Sequence, residues 1–459
     1  MAQLNQMKKL VKKNMKRVFI LLVLITGAGS VSAQQTLTFR NAVTLGLENN
    51  LLLNQQKNLL ISTGVNRTSA LLQMSPSVSV GGSAGRFDGN SFNQQRGEVV
   101  NGQVDFVNGG LSANLPIFNG FNQVNAYKQA ASQNEAQLNF VVRTTQDVIR
   151  NVSFQYLTCL LDQQLLKIDQ QNLETQKTQL DQIKQQVELG SRAEADLYNQ
   201  EFQVRTAELQ AVRSGNRLKN DKALLAQTLM IDPIISFDLE EVNWGTESYL
   251  VDAVVLENLN TQALENRADL KQASNTERAA QLGFLSRRGR YYPSLSAFAE
   301  MNSRYNYIHG APDNRTFDQQ FRSDNRQFNY GLSLQIPIFN GLANRALVVQ
   351  QRVLFENAQL TTKNTEVRVK SDVLIAYQNY QDARVSFSAA ESQLKSGELS
   401  YKMEKERFDL GISNIVQLTT AQQSYVKAQS DFASAQFTLM FQKLLIGYAT
   451  GTLRTEDIP

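Results

Sequence analysis

The sequence Pro116-Ile117-Phe118-Asn119-Gly120 recurs 221 positions later as Pro337-Ile338-Phe339-Asn340-Gly341. The same offset places Tyr156 on Tyr377. Self-similarity at a fixed spacing indicates that a chain is built from structural repeats. The chain is therefore predicted to contain two tandem copies of one unit, and the two motifs are predicted to be strand-to-helix junctions.

Upstream of these motifs the two copies align with a different spacing. Ser75-Pro76-Ser77-Val78-Ser79 corresponds to Tyr292-Pro293-Ser294-Leu295-Ser296, which lies 217 positions later rather than 221. The difference predicts a small insertion or deletion between the strand segments and the helices of the two copies.

Glycine and proline are distributed unevenly along the chain. Three long segments contain neither residue, namely 121–189, 342–396 and 412–446. Because glycine and proline are the residues that most disfavour a helix interior, these segments are predicted to be helices. The first would be roughly 100 Å long at ~1.5 Å per residue, far longer than a globular core requires.

Apolar residues in these helices recur every seven positions, which is typical of a coiled coil. Gly190 and Gly411 lie between the two heptad runs of each copy and can supply the positive φ of a helix end. We therefore predict two antiparallel helical hairpins, with tips at 187–194 and 408–415. The runs are Leu166, Leu173, Leu180, Val187 and Leu197, Val204, Ala211, Leu218, Leu225 in copy one, and Phe387, Leu394, Tyr401, Phe408 and Leu418, Tyr425, Phe432, Leu439, Ile446 in copy two.

Alternating apolar and polar residues predict four strands, at about 76–87, 103–117, 293–307 and 327–339. Each has one apolar face and is long enough for a transmembrane β-strand, although a strand of a soluble sandwich shows the same pattern. Four strands cannot close a barrel, and an open sheet edge is not viable in lipid. If the strands cross a membrane, other subunits must complete the barrel.

Two irregular features accompany these strands. Val104 and Phe106 are out of phase with the alternation, which predicts a β-bulge near Phe106. The polar spans 87–100 and 309–325 are predicted to be the loops at the far end of each strand pair.

The first 33 residues have the layout of a secretory signal peptide: a basic start, an apolar run at 18–25 and small residues before a cleavage site between Ala33 and Gln34. Six of the basic residues lie in this leader, so the net charge of +4 belongs mostly to it. The mature chain is predicted to be exported, and a basic nucleic-acid-binding surface is not predicted.

The chain has one cysteine, Cys159, and one histidine, His309. An intrachain disulfide and a Cys/His metal cage are therefore excluded, and no cofactor is predicted. Glu240 and Glu241 are adjacent and would point apart rather than share a substrate, so an exported enzyme is not favoured.

An exported chain with a duplicated strand-strand-hairpin unit, the Pro-Ile-Phe-Asn-Gly junction and a Leu-Gly turn followed seven residues later by Leu resembles the TolC-like outer-membrane efflux family. The resemblance implies an α+β membrane protein, a homotrimer whose 12-stranded β-barrel in outer-membrane lipid continues as a 12-helix periplasmic α-barrel. It implies docking to a periplasmic adaptor, also called a membrane fusion protein, and to an inner-membrane pump of the RND, ABC or MFS type. Such a duct conducts solutes passively, without catalysis.

The resemblance also implies a gate at the hairpin tips. In that family the second hairpin carries two aspartates that form charged rings, but here those positions are Gln417 and Thr420. The corresponding positions of the first hairpin are Asp196, which matches a family aspartate of the closed state, and Asn199. Its family partners, one aromatic and one basic, fall on Phe408 and Ser413, so we expect Arg192 to supply the missing cation and Asp409 to be a candidate acceptor.

In that family the tips also meet the adaptor. The residues expected to dock there are Gly190, Ser191, Gly411, Ile412 and Ser413.

The predicted organisation has a signal peptide at 1–33, repeat 1 at 34–229, a connector at 230–266, repeat 2 at 267–453 and a tail at 454–459. The helical hairpins would occupy about 121–229 and 342–446, and the connector, residues 34–60 and the segment after Gly447 would form a collar around the middle of the tunnel. The alternative is an exported trimeric coiled-coil protein with a structural or adhesive role and no pore, which does not explain why alternating strands occur twice in matched positions.

Overall fold

A computed structural model describes residues 35–93, 97–234, 237–240, 255–311 and 314–457. The predicted signal peptide, with Ala33 and Gln34, lies outside the described residues, as does the part of the predicted connector at 241–254.

The two repeats share the same main elements in the same order: a short strand, two short helices, two long strands and two long helices. Repeat 2 also has a π-helix, Gln319–Asp324, in the predicted loop between its long strands, and a 3₁₀ turn, Thr455–Asp457, follows its last helix. In repeat 1 these are β1 Gln35–Leu37, α1 Phe39–Asn49, α2 Leu51–Leu72, β2 Ser77–Asn93, β3 Glu98–Asn119, α3 Asn122–Glu188 and α4 Glu194–Leu229. In repeat 2 they are β4 Phe237–Leu239, α5 Leu256–Asn266, α6 Ala268–Gly289, β5 Ser294–Ile308, β6 Gln327–Gln335, α7 Ala343–Asp409 and α8 Ile415–Thr450.

Corresponding helices have equal lengths in the two repeats. They contain 11, 22, 67 and 36 residues in chain order. The predicted α+β unit of two strands followed by a long helical hairpin is thus confirmed in both copies. The location predicted for the insertion is wrong. Ser77 and Ser294, which begin β2 and β5, are 217 positions apart, whereas equivalent residues of β3 and β6 already have the spacing of 221. The extra residues therefore lie in the outer loop between the two strands of a repeat.

The four long strands form one antiparallel sheet in the order β2-β3-β5-β6. On one face Val80 pairs with Leu111, Leu111 with Met301, and Met301 with Phe328. The opposite face is rich in serine, asparagine, glutamine and glycine. A sheet with one apolar and one polar face has the pattern of a barrel wall between lipid and a water-filled lumen.

The ends of three strands differ from the prediction. β2 continues to Asn93 and β3 begins at Glu98, so most of the predicted loop at 87–100 is a paired hairpin. Apart from a few apolar residues such as Phe87 and the paired Phe92 and Val99, this segment is polar, and it therefore gives little alternation in the sequence. β6 ends at Gln335 rather than near 339, since among the described residues one of its edges has no partner strand.

The bulge predicted near Phe106 is wrong. Pairing of β3 with both neighbours is continuous through Phe106, and the irregularity lies between Pro116 and Phe118. Val104 and Phe106 instead face the polar side, where Val104 pairs with Ile308 and is buried. Val104 and Phe106 depart from the alternation because they form a small apolar patch on the polar side of the sheet, and not because the strand is distorted.

The two longest helices start in the same way. Gly120 and Phe121 have φ of 63° and 62°, and Gly341 and Leu342 have φ of 62° and 64°. Two successive left-handed residues turn the chain sharply from strand into helix, and a non-glycine residue in this region is uncommon. At ~1.5 Å per residue, α3 and α7 are each roughly 100 Å long.

The largest apolar core lies at mid-length of the long helices. β1 and β4 pair in parallel there, Phe39 stacks on Tyr156 with 4.9 Å between ring centroids, and the Tyr156 hydroxyl donates to the Leu37 carbonyl at 2.9 Å. Leu453, beyond the last long helix, is buried in the same core. This arrangement joins the chain segments that were predicted to form the collar.

The interior of the first hairpin is more polar than its heptad leucines suggest. Asp162, Asp169, Gln176 and Ile183 recur every seven residues on α3, and all four are buried, whereas the leucines of the predicted heptad line are half-buried. Asp169 accepts hydrogen bonds from Ser214 and Gln210 of α4. One oxygen of Asp162 has no hydrogen-bond partner among the described residues. Burial, together with the Asp221 carboxylate, raises the pKa of Asp162 to about 7.

Asp162→Asn is expected to raise the melting temperature at pH 8 and to have a shrinking effect as the pH falls from 7 toward 4. Because the folded-state pKa is above the unfolded value near 3.9, ionisation destabilises the folded chain, and this penalty is complete above pH 7 and absent below pH 4. At roughly 1.4 kcal/mol per pKa unit, the gain at pH 8 is about 1–4 kcal/mol. Melting curves across this range test it, with Asp181→Asn on the exposed face as the control; an equal gain at every pH would contradict it.

In the sheet, in the upper helices and in the lower helices of the protomer, two elements of repeat 1 are followed by two elements of repeat 2. The sheet runs β2-β3-β5-β6, the short helices and upper long helices pack as α2-α3-α6-α7, and the lower helices pack as α4-α3-α8-α7. An element of repeat 1 therefore lies at one side of the protomer and an element of repeat 2 at the other. In the described part of the chain, no helix has the length and apolar character needed to cross a membrane.

Candidate functional site

The tip of the first hairpin is a tight glycine turn. α3 ends at Glu188, and Gly190 follows with φ of 69°. The Gly190 amide donates to the Val187 carbonyl at 2.9 Å, and the Ser191 amide and hydroxyl both donate to the Gln186 carbonyl, at 2.9 and 2.8 Å. The turn therefore satisfies carbonyls that the helix end leaves open.

The second tip has the same turn and a stronger helix cap. Gly411 has φ of 74°, and its amide donates to the Phe408 carbonyl at 3.0 Å. Asn414 then caps α8: its side chain accepts from the Gln417 amide at 3.0 Å, and the Gln417 side chain accepts from the Asn414 amide at 3.4 Å. This reciprocal pair is a capping box.

The two tips of one protomer pack against each other. Ile183 from the first hairpin and Phe408, Ile415 and Leu418 from the second form one buried cluster. Higher up, the Gln422 amide donates to the Asn172 side chain at 3.0 Å across the two hairpins. The hairpins therefore close on each other through apolar contacts and amide hydrogen bonds.

Arg192 links the two tips. Its guanidinium carbon lies 4.0 Å from the centroid of the Phe408 ring, and its Nη1 lies 3.8 Å from Asp196 Oδ2. Cation–π contacts at this distance contribute about 0.5–2 kcal/mol. Arg192 thus lies where the missing cation is expected, and Phe408, at the position of the aromatic partner, contacts it through its ring.

The other predicted gate residues are not brought together in the protomer. Gln417 is part of the capping box, and the Thr420 hydroxyl donates to the Val416 carbonyl at 2.8 Å within its own helix. Asn199 and Asp409 are exposed, and within the described ranges Asp409 forms no ion pair, so the ion-pair partner of Arg192 is Asp196 and not Asp409. Ser413 Oγ is buried without a hydrogen-bond partner among those residues.

The predicted junction residues lie between the sheet and the long helices. The Asn119 side chain accepts from the Gln123 amide at 3.3 Å and so supports the start of α3. Gly120 lies against Gly289 of α6, with so little room that an added Cβ would be 2.1 Å from the Gly289 carbonyl oxygen. At the second junction, Pro337 and Asn340 follow the end of β6, and Gly341 has open space around it.

The lone cysteine and histidine do not form a site together. Cys159 is a free, buried thiol in α3, and burial raises its pKa to about 12, which makes it unreactive. His309 follows β5 and contacts the Asp105 carboxylate at 2.8 Å. Among the described residues, no group of three acidic, cysteine or histidine side chains could hold a metal ion.

Several features of the tips were not predicted from sequence. Leu189 and Leu410, each directly before its turn glycine, are strongly exposed, as is Ile412. The Leu-Gly pair occurs in both copies and could have indicated a shared apolar docking surface. The ring of Phe408 as the contact for Arg192 has no local signal, because the two residues come from different hairpins.

The sequence model of the outer membrane efflux protein family matches residues 46–229 and 259–439, one segment in each repeat. The chain belongs to this family. The predicted resemblance is therefore confirmed. Outer membrane protein TolC of Salmonella enteritidis is 25% identical over 317 residues, which cover 68% of this chain and 62% of that protein. Outer membrane protein TolC of Vibrio cholerae is 22% identical over 377 residues, 80% of this chain and 82% of the relative.

Solved structures of outer membrane efflux proteins share the fold. CusC superposes with a TM-score of 0.77 at 15% identity, covering 90% of this chain and 92% of CusC. VceC of Vibrio cholerae gives a TM-score of 0.77 at 14% identity, covering 90% and 96%. The open state of the MtrE channel of Neisseria gonorrhoeae gives 0.74 at 15% identity, covering 91% and 90%. The fold of this protomer is thus that of outer membrane channels.

Proposed function

We propose that this outer membrane efflux protein is a passive duct, formed by three copies of the chain, that conducts solutes from a periplasmic pump assembly to the cell exterior. The sheet carries the proposal: its apolar face is exposed in the protomer, with Val80 82%, Tyr330 81% and Leu332 67% accessible. Its two outer strands, β2 and β6, each have one unpaired edge. Such a sheet is stable in lipid only when further strands close it.

Three copies would supply a barrel of twelve strands and a wall of twelve long helices, as the family resemblance implies. The polar sheet face would then line the lumen, and the outer membrane lipid would contact the apolar face. Helices of roughly 100 Å would carry the duct across much of the periplasm. The chain itself does no chemistry in this proposal.

The partners we propose are a periplasmic adaptor at the tips and an inner-membrane pump of the RND, ABC or MFS type that supplies the energy. The exposed apolar residues Leu189, Leu410 and Ile412 flank the turn glycines and give the adaptor a small apolar surface on each hairpin. Gly190, Ser191, Gly411, Ile412 and Ser413 form the turns that present them.

Outer-membrane fractionation tests this function against a pore-free adhesive stalk. The mature chain is expected in the outer-membrane fraction as a trimer that dissociates on heating. Recovery in the soluble periplasmic fraction, or at the cell surface without membrane insertion, would favour the stalk.

We propose that Arg192, Asp196 and Phe408 hold the tips closed. The cation–π contact joins the first hairpin to the second, so the hairpins cannot separate without breaking it. The ion pair with Asp196 lies within the first hairpin and holds the Arg192 guanidinium in place. Both partners of Arg192 lie beside the turns, where an iris-like gate at the periplasmic end would narrow. Asn199, Gln417, Thr420 and Asp409 remain candidates for contacts between subunits.

Arg192→Ala is expected to raise single-channel conductance in planar bilayers and to admit large antibiotics. A loss of about 1 kcal/mol per subunit, summed over three tips that open together, raises the open-to-closed ratio roughly a hundredfold. Arg205→Ala is the matched control, because Arg205 lies on α4 of the same hairpin, in an exposed pair with Glu208 at 2.9 Å. Unchanged conductance of Arg192→Ala would refute the gate.

A further inference from the structure

The polar face of the four-stranded sheet carries little charge. From Ser77 to Gly89 of β2, and in the rows paired with this stretch on β3, β5 and β6, the face presents mainly serine, asparagine, glutamine and glycine. Among the described residues of these rows, its charged side chains are Glu300 and Arg304 of β5. Both share a face with Asn302, because side chains alternate along a strand, and under the proposed function this face lines the lumen.

Arg304 has no opposite charge beside it. Within the described ranges, no carboxylate lies within ion-pair distance of its guanidinium, and the side chain is exposed. Glu300 is four positions away, about 13 Å along the strand at ~3.3 Å per residue. That separation exceeds the Debye length of ~8 Å at physiological salt, so Glu300 does not neutralise Arg304.

The guanidinium of Arg304 is held in position from one side. Its Nε donates to Asn108 Oδ1 on the neighbouring strand at 2.9 Å. The Arg304 carbonyl accepts from the Asn325 side chain at 2.7 Å, which ties β5 to the segment that leads into β6. Among the described residues, the two Nη groups have no hydrogen-bond partner, so their donors remain free for a solute.

A concave cavity of about 1160 Å³ lies against the outer half of the sheet, and Arg304 is part of its wall. The other charged residues of the wall are Arg315 and Asp324, which neutralise each other in an ion pair at 2.6 Å. Most of the remaining wall is hydroxyl, amide and glycine, including Ser79, Ser83, Asn108, Asn302, Asn306 and Gln320. Arg304 is therefore the uncompensated charge of a neutral, polar cavity.

We infer that Arg304 makes this cavity a binding site for the anionic group of a carboxylate- or phosphate-bearing solute at the outer end of the lumen. Two free Nη groups in one plane match the paired oxygens of such a group. The inference rests on the proposed function, because the polar face must line a water-filled duct. It goes beyond that function by naming a site inside the barrel and the class of solute that it takes.

The exposure of Arg304 sets the strength of this site. A charge that stays in contact with water gains little from an ion pair, so the solute is bound weakly. Weak binding suits a duct, since a solute that is held tightly would block the path it has to leave by.

A cysteine beside Arg304 measures the charge of the site in the full mature chain in outer membranes. Ser83 lies in the same row, since Ser83 pairs with Asn108 and Asn108 pairs with Arg304. Ser83→Cys is treated from outside with anionic sulfonatoethyl or cationic trimethylammonioethyl methanethiosulfonate, and the two reaction rates are compared. Cys159 is buried, and the chain without Ser83→Cys gives its background.

Arg304→Gln is expected to lower the ratio of the anionic to the cationic rate about fivefold at about 10 mM ionic strength, and less at 150 mM, where salt screens the charge. Arg304→Lys keeps the charge and should keep the ratio. Arg326→Gln is the matched control, because Arg326 lies over the Phe328 ring on the apolar face, at 5.3 Å from its centroid, and should leave the ratio unchanged.

Protection by an anion tests binding itself. At constant ionic strength, citrate or inorganic phosphate at about 20 mM is expected to slow the reaction of Ser83→Cys with neutral N-ethylmaleimide about twofold, as for a half-occupied site with a Kd of ~20 mM. The same anions should not slow it in the Arg304→Gln chain.

The outcomes separate this site from the duct. Equal rate ratios with and without Arg304 would overturn the site while leaving a water-filled lumen, because both charged reagents reach the thiol. A changed ratio without protection by citrate or phosphate would show a charge that binds no anion, and would also overturn the site. If neither charged reagent reacts with Ser83→Cys in a confirmed trimer, although the denatured chain reacts, the proposed function falls as well.

Discussion

Replacing Gly190 and Gly411 together by valine abolishes export while the trimer still reaches the outer membrane. Both glycines have positive φ, 69° and 74°, and an added Cβ at either would meet no atom within 4 Å. The cost is therefore backbone strain, about 1–2 kcal/mol or more per site for a β-branched residue, and not a clash that could relax. The turns that present the adaptor surface would open, and cells would become as sensitive to exported antibiotics as cells lacking the protein.

The matched control is the double asparagine variant at Gly190 and Gly411. Asparagine tolerates the left-handed region, so we expect it to keep most of the export activity. The lowest inhibitory concentrations of an antibiotic panel and the amount of heat-dissociable trimer are measured for both variants. Full export by the valine variant, with a normal trimer, would show that the turn geometry does not matter.

Arg267→Met is expected to cost about 3–5 kcal/mol of stability and most of the assembled protein. Arg267 is 1% exposed and donates to Asp269 at 2.7 Å, to Asp372 at 2.9 Å and to the Ala449 carbonyl at 3.2 Å. Burial by itself would raise the pKa of Asp269, but the hydrogen bond and charge of Arg267 outweigh it and lower that pKa. Without Arg267, the largely buried Asp269 carboxylate would lose its closest cation and keep the exposed Arg368, 3.5 Å away, where repeat 2 begins.

Two further variants separate charge from packing at Arg267. Arg267→Met with Asp269→Asn should recover a large part of the loss, because it removes the buried charge along with its partner. Arg368→Met, which removes an exposed cation 3.5 Å from Asp269, should cost less than about 1 kcal/mol. Melting temperatures and trimer yields measure both effects. Equal losses for Arg267→Met and Arg368→Met would contradict the assigned role.

The helices and the duplication could be predicted because their signals are local. The glycine- and proline-free segment 121–189 predicts α3 within one residue at each end, and the alternation at 293–307 predicts β5 equally closely. The strand ends could not be predicted where pairing with a neighbouring strand, rather than the apolar–polar alternation, decides them. β6 stops short because no strand among the described residues pairs with its outer edge, and the polar β2–β3 hairpin is held by backbone hydrogen bonds.

The gate was only partly predictable from sequence. The turn glycines follow from their place between the heptad runs, and the pairing of Arg192 with Asp196 follows from their closeness in the chain, four positions apart across the start of α4. The contact of Arg192 with Phe408 and the use of Gln417 as a helix cap depend on how the tips pack and turn. The burial of Asp162 could not be predicted, because the leucines four residues after each buried polar residue have the heptad spacing expected of the buried face.

The most direct test of a duct gated at its periplasmic end is planar-bilayer conductance of the purified mature oligomer, measured beside a version whose tips at 187–194 and 408–415 are cut back. The intact oligomer should show small, steady conductance steps, and the shortened one should show larger steps, because removing the tips removes the constriction. If neither oligomer shows conductance steps although its mass confirms a trimer, the account is contradicted and a stalk without a pore is favoured.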